Sequence, residues 1–468
     1  MKELLKDDKL SFMYENMGCN IARFISISPD MEIRYLNVDR IYDTDNYNKN
    51  LREWILELIH SANSKAINIR SFSKEVMKGH KLIYGKKEED IEEIINIVLE
   101  NCKMNRYSII NELIDVNDGG VSGVVIGNII EFAPNDTPKC VEKPDVCLLE
   151  RNMGISILET VYGISPNIKL SYNLRLEFSL HPRKEGIRKN HTIIWEYEDF
   201  NNYNFDVKIK WPNRFSKFIG DKTFGLLIAD YLGFDVPFTT VISRNIPPFS
   251  FGKETGSKEK WIRTAPIVKE PGKYYTGDKW TDPFFLMKKE EQKGQEEINI
   301  ASILSQSSVE AIYSGGAIVA KEKKNDVIEG VRGKGDDFMV GLKGENKLPA
   351  DLSYKVHGLL DLIREYYSLI GDVSIEWVYD GDKVWIVQMN QLEHLGEGAV
   401  IVPGRPSVYK KVYVEEGLET LRKVINIIKD KDIGIELVGN VGLCSHFGDL
   451  LRHANIPSYI TSEKYESD

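Results

Sequence analysis

Residues 261–277 read WIRTAPIVKEPGKYYTG, and residues 67–85 read INIRSFSKEVMKGHKLIYG. Each stretch sets an arginine, Arg263 or Arg70, in a short apolar run and follows it with a glycine-bearing loop. Small-residue turns between apolar runs come next, GGVSGVVI at 119–126 and YSGGAIV at 313–319. An acidic residue before a glycine turn follows, Glu159 in LETVYG and Glu329 in IEGVRG, and each series closes on a glutamate among apolar residues, Glu177 in RLEF and Glu376 in SIEW. The offsets are 193 for the arginines, 192 for Ser122 and Ser314, and 170 and 199 for the two glutamate pairs. Four ordered features at similar spacing predict a duplicated unit of about 200 residues.

Composition narrows the class. The chain has 468 residues, room for two to four domains. An apolar content of 42% and a charged content of 28% are those of a globular protein. The net charge of −10 argues against nucleic acid as the main partner, because phosphate contacts need clustered Lys and Arg. No run approaches the roughly 18 apolar residues of a membrane span. The start, MKELLKDDKL, lacks an apolar signal core. Cys19, Cys102, Cys140, Cys147 and Cys444 form neither a metal spacing nor an even set, so a reduced, cytoplasmic setting is expected. Oligomeric state is not legible.

Periodicity divides the chain. Helical patterns cover 50–65, 87–104, 221–233 and 351–370; strand patterns cover 66–70, 106–116, 121–132 and 174–180. The Asn- and aromatic-rich segment 199–213 reads as the joint between copies. The charged stretch 287–298 reads as a surface loop, and 392–412, with three Gly and two Pro, as a linker. The domains expected are 1–210, 211–391 and, after the linker, a small α/β unit at 413–468.

Several residue types point to phosphate chemistry. Lys222, after Gly220-Asp221, opens a helix, where free N–H groups and a lysine can hold a phosphate; a plain surface lysine is the other reading. Arg263 can grip a phosphate bidentately beneath the loop 264–277. In SIEWVYDGDKVWIVQMN, Glu376 and Gln388 are 12 apart across an Asp-Gly turn, which places them nearly opposite on a hairpin. Two such oxygens suit Mg²⁺, which takes one or two protein ligands plus phosphates; a wet cross-strand pair is the alternative.

In order, these segments resemble the nucleotide-binding domain of the pyruvate phosphate dikinase and phosphoenolpyruvate synthase family, an ATP-grasp fold. GDKTFGLLIADYLGFDVPFTTVI resembles its Gly-Gly-Lys start, with Lys222 at the lysine; Ile262-Arg263-Thr264-Ala265 resembles its V-R-S-S loop. SILSQSSVEAIYSGGAIV and EGVRGKGDDFMVG resemble its following strands, which implies that Glu329 contacts ribose or base. IEWVYDGDKVWIVQMNQ resembles its metal-side hairpin, with Glu376 and Gln388 as ligands. Two positions depart: Asn390 stands where the family has Arg, and Ile219 where it has Gly. Residues 441–457, VGLCSHFGDLLRHANIP, resemble the family's swivelling phosphohistidine domain, with His446 as the phosphoryl carrier and Ser445 and the helix start as stabilisers.

The resemblance implies an α+β, ATP-grasp-like fold with a duplicated unit and a swivel-like tail. It implies MgATP, with Lys222, Arg263, Thr264, Glu329 and Gln388 around the nucleotide, Glu376 and Gln388 on the metal, and His446, Arg263 and Lys222 as catalytic groups. The expected activity is phosphoryl relay from ATP through His446 to a small-molecule acceptor. An ATP-grasp ligase working through an acyl phosphate, with His446 structural, is the second expectation, and a non-catalytic nucleotide-binding regulator the third. No stretch of these 468 residues resembles the family's acceptor-binding barrel, so phosphoenolpyruvate synthesis is not expected. The first copy reads as degenerate: no Gly-Lys start precedes Arg70, and Glu177 and Glu196 are 19 apart. The basic cluster Arg183, Lys184, Arg188, Lys189 and His191 reads equally as a site for an anionic acceptor or as a solvated loop.

Overall fold

The computed structural model describes residues 5–38, 50–73, 81–138, 143–168, 173–201, 204–293, 298–335, 347–393, 395–396 and 398–461. The chain divides into two compact units. One comprises Met1–Val146, Glu150–Glu159 and Ile164–Phe205, the other Cys147–Leu149, Thr160–Gly163 and Asp206–Asp468. The fold is α+β, as expected, with four antiparallel sheets and a tail sheet of mixed strands.

In the first unit, five strands form one sheet in the order Ile33–Asn37, Phe24–Ile27, Tyr107–Glu112, Ile67–Phe72, Leu82–Lys86. The amphipathic helices Leu51–Ser61 and Ile91–Lys103 cover it with Trp54, Ile55, Leu58, Ile94 and Val98. In a second sheet, Leu174–Glu185 lies between Asn190–Asp199 and Val121–Ile126, and Ile129–Pro134 pairs with the last of these. The run 121–132 is therefore a hairpin turning at Gly127-Asn128, because the alternation continues on both sides of a glycine with positive φ.

The second unit repeats both orders. Its first sheet runs Phe249–Phe251, Thr239–Ser243, Ile300–Ser307, Lys260–Pro266, Thr276–Gly277. Numbered by appearance, both first sheets have the order second, first, fifth, third, fourth. Its other sheet runs Val327–Arg332, Tyr313–Val319, Val373–Tyr379, Val384–Gln391, which matches the four strands just given for its counterpart; the fifth strand there, Cys147–Glu150, has no equivalent. Register makes the match residue by residue. Arg70 faces Ile109 and Leu82 as Arg263 faces Leu304 and Thr276. Glu177 faces Val124 and Glu196 as Glu376 faces Gly316 and Gln388. Each glutamate is followed by a β-bulge on the partner strand, at Trp195 and at Val387. The partner of Glu329 in this frame is Glu131, since both lie on the outer strand opposite the same inner position, Gly316 or Val124. Glu159 is on a helix, so pairing it with Glu329 by sequence was wrong.

The tail is a four-stranded sheet, Val400–Val402, Ser458–Thr461, Ile433–Val438, Val408–Tyr413, with helices Gly417–Ile428 and His446–Ala454 burying Leu421, Ile425, Phe447 and Leu451 against it. The segment 392–412 thus holds two strands of that sheet and is not a free linker; Val400–Val402 is too short to read as a strand beside so many Gly and Pro. The stretch 287–298 begins inside the helix Pro283–Glu291, and residues 294–297 lie outside the described residues. The four described cysteines are unpaired, and Cys140 lies outside the described residues. No described helix is long and apolar enough to cross a membrane.

The helix Asp221–Tyr231 is set by its packing on the Val384–Gln391 strand. A Cβ at Gly225 would collide with the carbonyl of Met389. Gly225→Ala should therefore cost about 1–3 kcal/mol, as overpacking does. Calorimetric unfolding should show a fall of several degrees, and an unchanged transition would mean that the helix can shift at no cost.

Candidate functional site

Between the two sheets of the second unit lie two adjoining cavities that share Arg263, Thr276 and Glu376. One, about 240 Å³ and the more polar of the two, is lined by Lys222, Arg263, Glu376, Gln388, Asn390 and His446, among others. The other, about 110 Å³, is mainly apolar, with Trp261, Ala311, Trp377, Val378 and Val387.

Local folding aims each side chain. Asn213 caps the short helix Arg214–Ile219, and Gly220 turns the chain at φ 97° into the next helix. The turn needs glycine, because a Cβ would also meet Ala265 and Ser302. Lys222 then sits in the first turn, and its Nζ donates to the Thr264 carbonyl at 3.1 Å. Burial, then the nearby Arg263 cation, lowers the Lys222 pKa to about 8, against an opposing pull from Glu376.

Arg263 leaves its own sheet and reaches the other. Nη2 donates to Glu376 Oε2 at 2.5 Å, and Nη1 donates to the Val387 carbonyl. Val387 is the bulged residue, so its carbonyl is free of the strand ladder and available to a guanidinium. Arg263 Nε is buried with no partner. Burial tends to raise the Glu376 pKa, but Arg263, His446 and Lys222 outweigh it, so the carboxyl stays below its ordinary value. The hairpin turn is fixed by Asp380, whose Oδ1 accepts from Asp382 N and Lys383 N, and that fixes Glu376 opposite Gln388. Asn390, two residues on, faces Ser374 and lines the same cavity. One carboxylate and two amide oxygens suit a hard cation that keeps most of its other ligands from phosphate and water. Among the described residues, no three His, Cys, Asp or Glu side chains are grouped for a metal, so the expected metal rests on this mixed set.

His446 is the first residue of the helix His446–Ala454. It was expected to stand exposed; it is half-buried and lines the polar cavity. Its Nδ1 is buried without a partner, which leaves Nε2 as the nitrogen open to a ligand. Burial lowers its pKa against the pull of Glu376 and Asp449, so the ring is neutral at neutral pH. Ser445 was expected to stabilise a phosphoryl group. Instead it is fully buried, donates to the Gly442 carbonyl at 2.6 Å and caps Gly448 N. Asn455 ends the helix in the left-handed conformation.

Two expected nucleotide residues stand apart. Thr264 has no exposed surface; its carbonyl holds Lys222 and its side chain lines neither cavity. Glu329 also lines neither. Its carboxylate accepts Leu443 N at 2.7 Å and Cys444 N at 2.9 Å, so it is occupied by the loop that leads to His446. Its assignment to ribose or base is thereby corrected. The basic cluster is also engaged in part: Arg188 donates to the Cys19 and Tyr14 carbonyls and stacks on Tyr14, and His191 Nδ1 lies 2.9 Å from the His181 carbonyl. Sequence reasoning missed Lys269 and Asp449, which pair at 3.2 Å in the lining of the polar cavity. Asp449 was legible in principle, three residues after His446 on one helix face.

No protein-family model and no curated protein matches the chain. Among solved structures, a RiPP-associated ATP-grasp ligase of Chryseobacterium gregarium, in complex with ADP and a leader and core peptide, is 13% identical over 37% of this chain and 53% of that one, with a TM-score of 0.21. D-alanine–D-alanine ligase of Bacillus anthracis complexed with ATP gives 12%, 38%, 55% and 0.24, and the macrocyclase MdnC of Microcystis aeruginosa, bound to its precursor peptide MdnA, gives 12%, 38%, 54% and 0.22. The chain spans just over half the length of these structures. Likeness this slight carries no argument about activity, which must rest on the side chains.

The Glu329 contact makes its own prediction. Glu329→Ala removes two charge-assisted bonds, worth about 1.5–3 kcal/mol each before relaxation. Hydrogen exchange at Leu443 and Cys444 should quicken by at least tenfold, while amides of the Val373–Tyr379 strand keep their protection. Equal protection in both proteins would show that the loop is held by other means.

Proposed function

We propose that the second unit binds MgATP between its sheets and transfers a phosphoryl group to His446 for delivery to a small-molecule acceptor. The observation that carries this is the presence of His446 in one cavity with Lys222, Arg263, Glu376 and Gln388. A neutral imidazole with Nε2 open is a nucleophile, and two cations beside it can hold a polyphosphate. The adjoining apolar cavity, flanked by Trp261 and Trp377, is of the kind that takes a purine. Mg²⁺ on Glu376, Gln388 and Asn390 would neutralise phosphate charge. Lys222 and Arg263 orient the phosphates, and the sheets exclude water. Nε2 forms a bond to phosphorus as the P–O bond to the nucleotide breaks. The electron pair leaves on the nucleotide oxygen; Nδ1 keeps its proton, so the phosphorylated ring is cationic and its charge is offset by Glu376 and Asp449.

Asn390 favours one other reading. An amide there adds an oxygen beside Glu376 and Gln388 and supplies no further cation for a travelling phosphate. That suits an ATP-grasp ligase, in which a carboxylate takes the phosphoryl group as an acyl phosphate and His446 only closes the site. Incubation with labelled ATP separates the two. Phosphoryl transfer to His446 gives protein-bound, acid-labile label that His446→Ala loses while still binding nucleotide. Absence of label, with ADP formed only when a carboxylate and an amine are supplied, selects the ligase.

Lys222 sets a pH dependence. With a pKa of about 8 in the free protein, it is charged below that pH and neutral above. A bound polyphosphate favours the charged form, so affinity for MgATP should fall as pH rises above 8, by at most tenfold per unit. Titration calorimetry from pH 7 to 10 checks this, and Lys222→Met should flatten the curve. Arg263→Ala should cost about 1.5–3 kcal/mol of ATP affinity.

A further inference from the structure

The first unit was read as degenerate because no Gly-Lys start precedes Arg70. Its lysine is present by another route. Lys6 opens the helix Lys6–Glu15, which precedes the first strand of its sheet as the Lys222 helix precedes Thr239–Ser243. Lys6 Nζ lies 3.0 Å from Glu196 Oε2, and Glu196 faces Glu177 in the register that joins Gln388 to Glu376. Arg70 and Glu177 are also close enough to Lys6 to perturb its proton affinity. Lys6, Arg70, Glu177 and Glu196 therefore repeat Lys222, Arg263, Glu376 and Gln388.

The copy is rewired in one respect. Glu177 pairs with Arg175 at 3.0 Å, from its own strand, and not with the arginine of the facing sheet. Among the described residues, the Arg70 side chain makes no ion pair or hydrogen bond. A half-buried guanidinium without a carboxylate, next to a partly desolvated lysine, favours an external anion with several oxygens. The floor also differs. Where the second unit has Trp377, Val378 and Val387, the first has Phe178, Ser179 and Trp195 by register. Ser179 lies 2.8 Å from both His181 Nε2 and Trp195 Nε1. The phosphate-side residues persist, while on the base side a buried Ser179, held by His181 and Trp195, stands where the second unit has Val378.

We infer that the first unit is a second polyphosphate site, in which Lys6 and Arg70 hold the phosphates of a magnesium-bound nucleoside triphosphate or of a base-free polyphosphate, and Glu177 and Glu196 face its cation. This rests on the assignment of Lys222, Arg263 and Glu376 to a polyphosphate. The test is binding stoichiometry of the full chain with two probes, Mg²⁺·β,γ-imido-ATP and Mg²⁺·tripolyphosphate, by titration calorimetry. Two sites per chain are expected with at least one probe. Arg70→Ala and Lys6→Gln should each remove one or weaken it at least tenfold, and Arg263→Ala should remove the other. Two sites for tripolyphosphate and one for imido-ATP would place a base-free ligand in the first unit. One site per chain with both probes, abolished by Arg263→Ala and untouched by Arg70→Ala and Lys6→Gln, overturns this inference and leaves the proposed function standing. One site lost with Arg70→Ala and kept with Arg263→Ala upholds it and overturns the reading of the second unit. Circular dichroism checks each fold, and Lys6→Gln decides if Arg70→Ala unfolds.

Discussion

Arg263 ties one sheet of the second unit to the other, and the candidate site depends on that bridge. A guanidinium has enough donors in a rigid fork to meet a carboxylate and a carbonyl at once. The carboxylate is Glu376, and the carbonyl is made available by the Val387 bulge. Buried ion pairs add little net stability, because desolvation offsets most of the Coulomb gain. The bridge is better understood as positioning. It holds the Glu376 pKa below its ordinary value in a place where burial alone would raise it, and it adds a positive charge beside Lys222, which lowers that lysine's proton affinity further. Arg263 Nε remains buried and unpartnered, so the arginine is not saturated by the protein.

What the sequence disclosed was local. The Glu376–Gln388 pairing followed from a 12-residue spacing about Asp380-Gly381, since a hairpin's register is set by its turn. The glycine before Lys222 was legible because a turn residue acts locally. Misreadings arose where tertiary structure reassigns a side chain. Glu329 sits in a motif-like run, but its carboxylate is met by backbone N–H groups more than a hundred residues later in the chain, and no spacing reveals that. Lys6 was missed because a lysine at a helix start is common, and only its distance to Glu196 marks it. Glu177 and Glu196 seemed too far apart because the strands before and after their turn are longer, while the register at the pair itself is unchanged.

The repeat shows which parts of the frame tolerate exchange. Strand order, the paired glutamate position and the bulge beside it are the same in both units. These are backbone features, and a one-residue slip in any of them would turn a whole strand face from the cleft to solvent. Side chains on that frame vary. Gln388 and Asn390 correspond to Glu196 and Glu198, and Ser374 to Arg175, so the first unit carries more charge of both signs on the same scaffold.

The outer-strand glutamate accounts for how His446 reaches the cleft of the second unit. Glu131 and Glu329 hold the same place in their sheets. In the first unit, Glu131 Oε2 is buried with no partner, and burial raises its pKa, with only Arg175 opposing. In the second, the carboxylate is satisfied by Leu443 N and Cys444 N, two amides just before the helix that begins at His446. An anion buried at that position costs free energy until donors arrive. The tail supplies them, and in docking there it carries His446 to the polar cavity, where Lys269 pairs with Asp449 and Arg422 donates to the Pro271 carbonyl. Glu329 therefore acts on the site without lining it: its desolvated charge is what the tail's free amides compensate, and the same contact fixes the histidine beside Glu376.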